Sequence, residues 1–198
     1  QAAWSVVLSR VSGEDDVVFG AVRACRHATI DNAEQIVGPF INTLPVRVRI
    51  GSDASLAAWL RELRAQDLAV RGHEHTPLVE IQRWSDVPVG EQLFDSIIVF
   101  DHENLNTTMQ RRGGDWANRK FELHEQTSYP LTIYAYAESA LQLKIAFDVG
   151  LFEEAAGDRI LKYICTALES MVDNQFGTLS DVDILPKSER EQLLSEFN

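Results

Sequence analysis

The sequence predicts a mixed α/β (α+β) domain, one sheet with helices packed on it. Short runs of β-branched and aromatic residues alternate with amphipathic helical stretches through the first half of the chain. Two well-patterned strands then follow one another directly as a hairpin, and a long amphipathic helix comes after them. Interleaved strands and helices build a helix-covered sheet, and the hairpin adds an antiparallel pair to it. At 198 residues the chain has ample length for a core of its own.

Taken in order, Gln1 to Val11 carries Trp4, Val7, Leu8 and Val11 at helical spacing, with no capping residue before Trp4. Gly13-Glu14-Asp15-Asp16 turns the chain into Val17 to Val22, a short apolar run expected as a mostly buried strand. His27 to Gln35 is polar and reads as a loop with a short helical turn. Gly38-Pro39 sets a bend, because Gly allows unusual backbone angles and Pro fixes φ. Pro45 opens a segment in which Val46, Val48 and Ile50 alternate with Arg47 and Arg49, the pattern of a strand with one buried face.

Ser52 or Asp53 is placed to cap a helix with the stripe Leu56, Trp59, Leu60, Leu63 and Val70, ending near Gly72. Pro77 starts a second, short helix, Leu78 to Gln82. Ser85 to Gly90 is turn chemistry, and Leu93 to Phe100 is expected as a central strand. Asp101 to Trp116 shows no apolar period and reads as a mobile loop. Leu131 to Ala137 and Leu141 to Phe147 form the hairpin through Glu138-Ser139-Ala140. A helix from about Phe152 to Asn174 is expected to bury Ile160, Ile164, Leu168, Met171 and Val172. The tail from Thr178, with Leu185-Pro186 and the charged stretch Ser188 to Phe197, reads as the start of a linker rather than core.

Apolar and charged contents of 45% and 24% are ordinary for a globular chain. A net charge of -12 argues against nucleic acid and anionic membrane as partners, since both need basic surface. The sequence holds no apolar run of about 18 residues and no signal-peptide pattern at its start. Cys25 and Cys165 form no Cys-x-x-Cys and are expected as buried small hydrophobes in a reduced, cytoplasmic chain. A start at Gln1 rather than Met reads as a piece of a longer protein.

Few residues suggest chemistry. His73-Glu74-His75 lacks the i, i+4 histidine spacing of a metalloprotease helix, and no metal site is expected. His27, His102 and His124 are isolated. The chain has neither a Gly-x-Ser-x-Gly elbow nor a phosphate loop, so no catalytic residue is assigned.

The central stretch is more specific. Val37-Gly38-Pro39-Phe40-Ile41-Asn42-Thr43-Leu44-Pro45-Val46-Arg47 resembles the signature segment of condensation domains in nonribosomal peptide synthetases. Asp16-Val17-Val18-Phe19-Gly20, with Arg26 a few residues on, resembles that family's preceding motif. His75-Thr76-Pro77-Leu78 with Ile81-Gln82, then Arg83-Trp84-Ser85, Leu93-Phe94-Asp95-Ser96 and Tyr129-Pro130-Leu131-Thr132 resemble later landmarks in the same order. The resemblance covers nearly the whole chain but only the carboxyl-terminal half of the family.

It implies a chloramphenicol-acetyltransferase-like two-layer sandwich, one of two such halves that meet around a tunnel. Donor and acceptor peptidyl carrier proteins deliver thioesters on phosphopantetheine arms, and the acceptor amine attacks the donor thioester to form an amide. Residues 1–177 would be the carboxyl-terminal subdomain. Residues 178–198, with Ser188-Glu189-Arg190 and Leu193-Leu194, would lead toward an adenylation domain. The implied partners are the amino-terminal half, the carrier proteins and that adenylation domain; no cofactor is bound directly. The family's paired histidines, followed after three residues by Asp-Gly, belong to the other half, and no adjacent histidine pair occurs here. The chain alone is therefore expected to be inactive; the alternative is a non-catalytic scaffold or carrier-protein dock.

By the same resemblance Arg26, Phe40, Asn42 and Leu44 would lie beside the tunnel on its acceptor side. The family has Ser-Gly-Arg where this chain has Ala24-Cys25-Arg26, which leaves any role for a hydroxyl there in doubt. Arg26 can pair across the two halves, hold the tunnel floor, or make an ordinary strand-end ion pair. Asn42 both donates and accepts hydrogen bonds, which suits a substrate amide or the backbone of the bend. Arg111 and Arg112, with Arg119 and Lys120, form a solvated loop or a transient contact with an acidic carrier protein. Surface meant for the other half is expected to leave one face unusually apolar.

Overall fold

The computed structural model describes residues 1–25, 32–51, 53–88, 90–121 and 125–196. Five strands form a mixed sheet: β1 (Asp16–Ala24), β2 (Ile41–Arg49), β3 (Ser96–Asp101), β4 (Leu131–Ala137) and β5 (Leu141–Phe147), in the spatial order β2-β1-β3-β4-β5. β1, β3 and β4 run parallel through the centre, and the edges β2 and β5 pair antiparallel to their neighbours. This is the predicted α/β class, with β3 central and β4–β5 as the expected hairpin.

One face of the sheet carries the core. Register places Val17 opposite Val48, Phe19 opposite Val46 and Ala21 opposite Leu44, so the alternation of both strands turns its apolar set to the same side. Ile98, Ile133 and Ile145 continue that row across the sheet. Over it lie α1 (Ala2–Ser12), α2 (Leu56–Val70) and α5 (Glu154–Asp173), which contribute Trp4, Val7, Leu56, Trp59, Leu63, Ile164, Ala167 and Met171. Trp4 donates its indole N–H to Ser96 Oγ at 3.1 Å, satisfying a polar pair buried between helix and sheet. α5 comes close to β5 at Gly157, where a Cβ would overlap the Phe147 ring.

The other face is covered locally. Phe94 packs on Gly20 and stacks on Tyr129 with ring centroids 5.3 Å apart. Beneath them Thr132 and Tyr134 are buried.

Several boundaries differ from those read from sequence. β2 starts at Ile41, with Pro45 inside it opposite Gly20. An edge strand tolerates proline because its outer side needs no ladder hydrogen bonds. α1 ends at Gly13, whose φ of 76° is the left-handed conformation a helix end favours, and Val11, in its last turn, is exposed. α2 starts at Leu56, not after Ser52 or Asp53; Ser52 lies outside the described residues. Its first amide is satisfied by the backbone instead, Leu56 N–H donating to Gly177 O at 3.0 Å.

α3 spans Leu78–Trp84, two residues beyond expectation. The stretch expected as a mobile loop contains α4 (Leu105–Arg111), capped by Asn104, whose side chain accepts Thr107 N–H at 2.9 Å. Val172, expected in the core, is exposed in the last turn of α5, and Cys165 is exposed while Cys25 is buried.

The tail also needs correction. Leu179 and Val182 are core residues, 1% and 3% exposed, so the packed domain continues past 177. A capping box between Thr178 and Asp181 folds this segment, and Leu179 N–H donates to Ala54 O at 3.0 Å. Only then comes α6 (Lys187–Glu196), tied back by Tyr163 O–H to Glu189 at 2.6 Å and by an Arg190–Asp183 pair at 2.9 Å. Burial and the Glu189 carboxylate push the Tyr163 phenol up to about 12.

Candidate functional site

The stretch that carried the resemblance sits where the end of β1, the start of β2 and the loop between α2 and α3 converge. Gly38 has φ 155°, a conformation side chains rarely adopt, and Pro39 follows it into Phe40. Phe40 is half-buried, and its carbonyl accepts Cys25 N–H at 2.6 Å, extending the β1–β2 pairing by one bond. Asn42 uses its whole side chain on backbone. Its Nδ2 donates to Glu74 O and Thr76 O, each at 2.8 Å, and its Oδ1 accepts Thr43 N–H at 3.0 Å. Cys25 Sγ donates to the same Glu74 carbonyl at 3.3 Å. Burial first, then the Glu74 carboxylate, push this thiol up, so it stays protonated and inert.

Leu44, two residues on, is 2% exposed and lies on the helix-covered side opposite Ala21. It supports the strand from the core and offers no surface of its own. Arg26 lies outside the described residues, as do His27 and His124.

Beside this junction a cavity of about 960 Å³ opens between α2 and the carboxyl ends of β1, β3 and β4. Leu60, Leu63, Ile98 and Phe100 line it, and Arg23 with Asp67 brings charge to its wall. These two form an ion pair, and Arg64 reaches the same carboxylate at 3.5 Å. Burial opposes ionisation of Asp67, but hydrogen bonding and charge from Arg23 outweigh it and hold the carboxyl below its ordinary value. Arg23 Nε is buried with no partner among the described residues.

The basic cluster is not a free array of cations. Arg111 pairs with Glu103. Arg119 lies 5.6 Å from the centroid of the Trp116 ring, which itself stacks on Phe121. Arg112, just past the end of α4, is exposed. His73 and His75 are exposed on the α2–α3 loop, and among the described residues no group of three or more His, Cys, Asp or Glu could hold a metal. Among those residues no helix is long and apolar enough to cross a membrane. The carbonyls of Glu74 and Thr76 were not found from sequence, because a backbone acceptor has no side-chain signature.

The described residues thus build a helix-backed mixed sheet with a charged cavity at the carboxyl ends of its central strands. The profile of the condensation-domain family matches residues 1–194, and the chain belongs to that family. It is 40% identical over its full length to one of the linear gramicidin synthase proteins of Brevibacillus parabrevis, of which it spans 4%. It is 31% identical to surfactin synthase subunit 3 of Bacillus subtilis (strain 168), of which it spans 16%.

Among solved structures, the four-domain nonribosomal peptide synthetase holo-AB3403, bound to AMP and glycine, overlays 96% of this chain with a TM-score of 0.78 at 15% identity, matching 16% of its own length. The first condensation domain of the CDA synthetase overlays 93% of this chain with a TM-score of 0.71 at 17% identity, matching 41% of its own length. The fold is thus the chloramphenicol-acetyltransferase-like one.

Proposed function

We propose that this chain is the acceptor-side half of a condensation domain, joining carrier-bound aminoacyl or peptidyl thioesters through an amide bond. The observation that carries this is one of proportion: nearly all of the chain overlays only 41% of a solved condensation-domain chain. The lack of an adjacent histidine pair supports the same division. In this reading the acceptor amine attacks the donor thioester carbonyl, the amide C–N bond forms, and the donor phosphopantetheine thiol leaves. The imidazole that handles the amine proton comes from the amino-terminal half.

This chain then supplies one wall of the chamber. Phe40 and Asn42 stand at its acceptor side and Leu44 braces the strand behind them, while Arg26, outside the described residues, is assigned an acceptor-side role on the resemblance alone. Arg112, with Arg111, faces an acidic carrier protein. α6 leads toward an adenylation domain. Val37, Ile41, Val79 and Trp84, large apolar side chains left exposed around this region, fit a surface that another half covers.

Mixing tests the proposal. Donor and acceptor carriers loaded with aminoacyl thioesters are incubated with this chain, with the amino-terminal half, or with both, and the amide is followed by mass spectrometry. Only the mixture is expected to form it, at least about 10²-fold above either half, the low end of what a positioned base supplies. Amide formation by this chain alone would contradict the reading. An inert mixture would contradict it in favour of a non-catalytic scaffold.

A further inference from the structure

We propose that Asn42 is a positioning residue that acts through His75: it fixes the backbone around that histidine and so presents the imidazole to the amine-bearing thioester on the acceptor carrier. The inference rests on the functional reading above and deepens it. Both protons of the Asn42 amide are used, one on Glu74 O and one on Thr76 O, the carbonyls on either side of His75. Because Asn42 Oδ1 takes Thr43 N–H, the amide has one orientation that satisfies all three bonds. Cys25 Sγ adds a second donor to the Glu74 carbonyl. Thr76 N–H closes a turn onto His73 O at 3.0 Å, and Pro77 follows with its φ fixed at -61°. The backbone around His75 is therefore restrained from both sides.

Its side chain is not. The imidazole is exposed, and among the described residues it has no hydrogen-bond or charge partner. An immobilised loop carrying an unpaired donor–acceptor group is how a binding contact is preorganised: a supporting shell fixes the backbone, and less freedom is lost when a ligand arrives. Neutral imidazole donates from one nitrogen and accepts at the other, so it can meet both the carbonyl and the amine of an aminoacyl thioester. The clamp binds the strand start of the signature stretch to this loop, placing the backbone of His75 beside Asn42 rather than at a remote surface.

The test uses the full condensation domain, this chain joined to its amino-terminal half, with steady-state titration of the acceptor carrier. Asn42→Ala and His75→Ala are each expected to raise the acceptor KM about tenfold, with kcat and the donor KM within about twofold. The double variant is expected to be no worse than His75→Ala alone, because one residue acts through the other. His75→Gln, which keeps a donor and an acceptor, is expected to recover most of the loss. In the same protein, Asn42→Ala is expected to speed hydrogen exchange at the Thr76 amide about tenfold.

An unchanged acceptor KM in His75→Ala, or multiplying effects in the double variant, overturns the presentation of His75. Unchanged Thr76 exchange overturns the clamp itself. A joined wild-type domain that forms no amide contradicts the functional reading and the role of His75 with it, while Thr76 exchange still decides the clamp.

Discussion

Replacing Phe19 by alanine is expected to lower the unfolding free energy by about 3–5 kcal/mol, the range for deleting a buried aromatic side chain. Phe19 is 0% exposed and sits on the helix-covered face of β1, opposite Val46 on β2. β1 pairs with β2 on one side and β3 on the other, so its backbone cannot collapse into the space the ring leaves. A cost of this size is a large fraction of the whole stability of a domain. Urea unfolding of wild type and variant measures it; a difference under about 1 kcal/mol would mean that the helix layer repacks freely over the sheet.

Gly20→Val should be nearly as damaging from the opposite face, at the upper end of the roughly 1–3 kcal/mol that overpacking costs. A Cβ at Gly20 would lie 2.8 Å from Ile97 Cγ2 and would overlap the Phe94 ring. The ring has little room to swing, because Phe94 is buried and stacked on Tyr129. Near-UV circular dichroism should report loss of that stack alongside the fall in Tm. Adding Phe94→Ala should recover part of the Gly20→Val deficit. If the double variant is as unstable as the sum of the two singles, overlap with the ring is not the cause.

The parts of the fold that were legible in the sequence are those whose residues bury one face. β5 and the alternating half of β2 show a period of two because one side meets the helices. α4 was missed because none of its residues is buried, so no apolar stripe marks it; Asn104 before Leu105 was the one local sign. The start of α2 was misplaced because its first amide is satisfied by Gly177, a partner far along the chain that no local pattern reveals. The same crossing explains why Leu179 and Val182 looked like linker: their burial depends on packing against α1, α2 and α5, not on their neighbours.

The candidate site was legible only in part. The signature wording located Phe40, Asn42 and Leu44, and the packing separates them: Leu44 in the core, Asn42 spent on backbone carbonyls, Phe40 half-buried beside Cys25. That Asn42 reaches Glu74 and Thr76 depends on where an exposed loop returns after α2. Only the folded chain decides that.

The central claim is that the proton-handling imidazole belongs to the other half of the domain. It is tested most directly by kcat at saturating acceptor in the joined domain, with all five histidines of this chain, His27, His73, His75, His102 and His124, replaced by glutamine. The account predicts a kcat within about threefold of wild type, because none of the five transfers the amine proton. A fall of about 10²-fold or more, the loss expected on removing a general base, would place the base on this chain and contradict it.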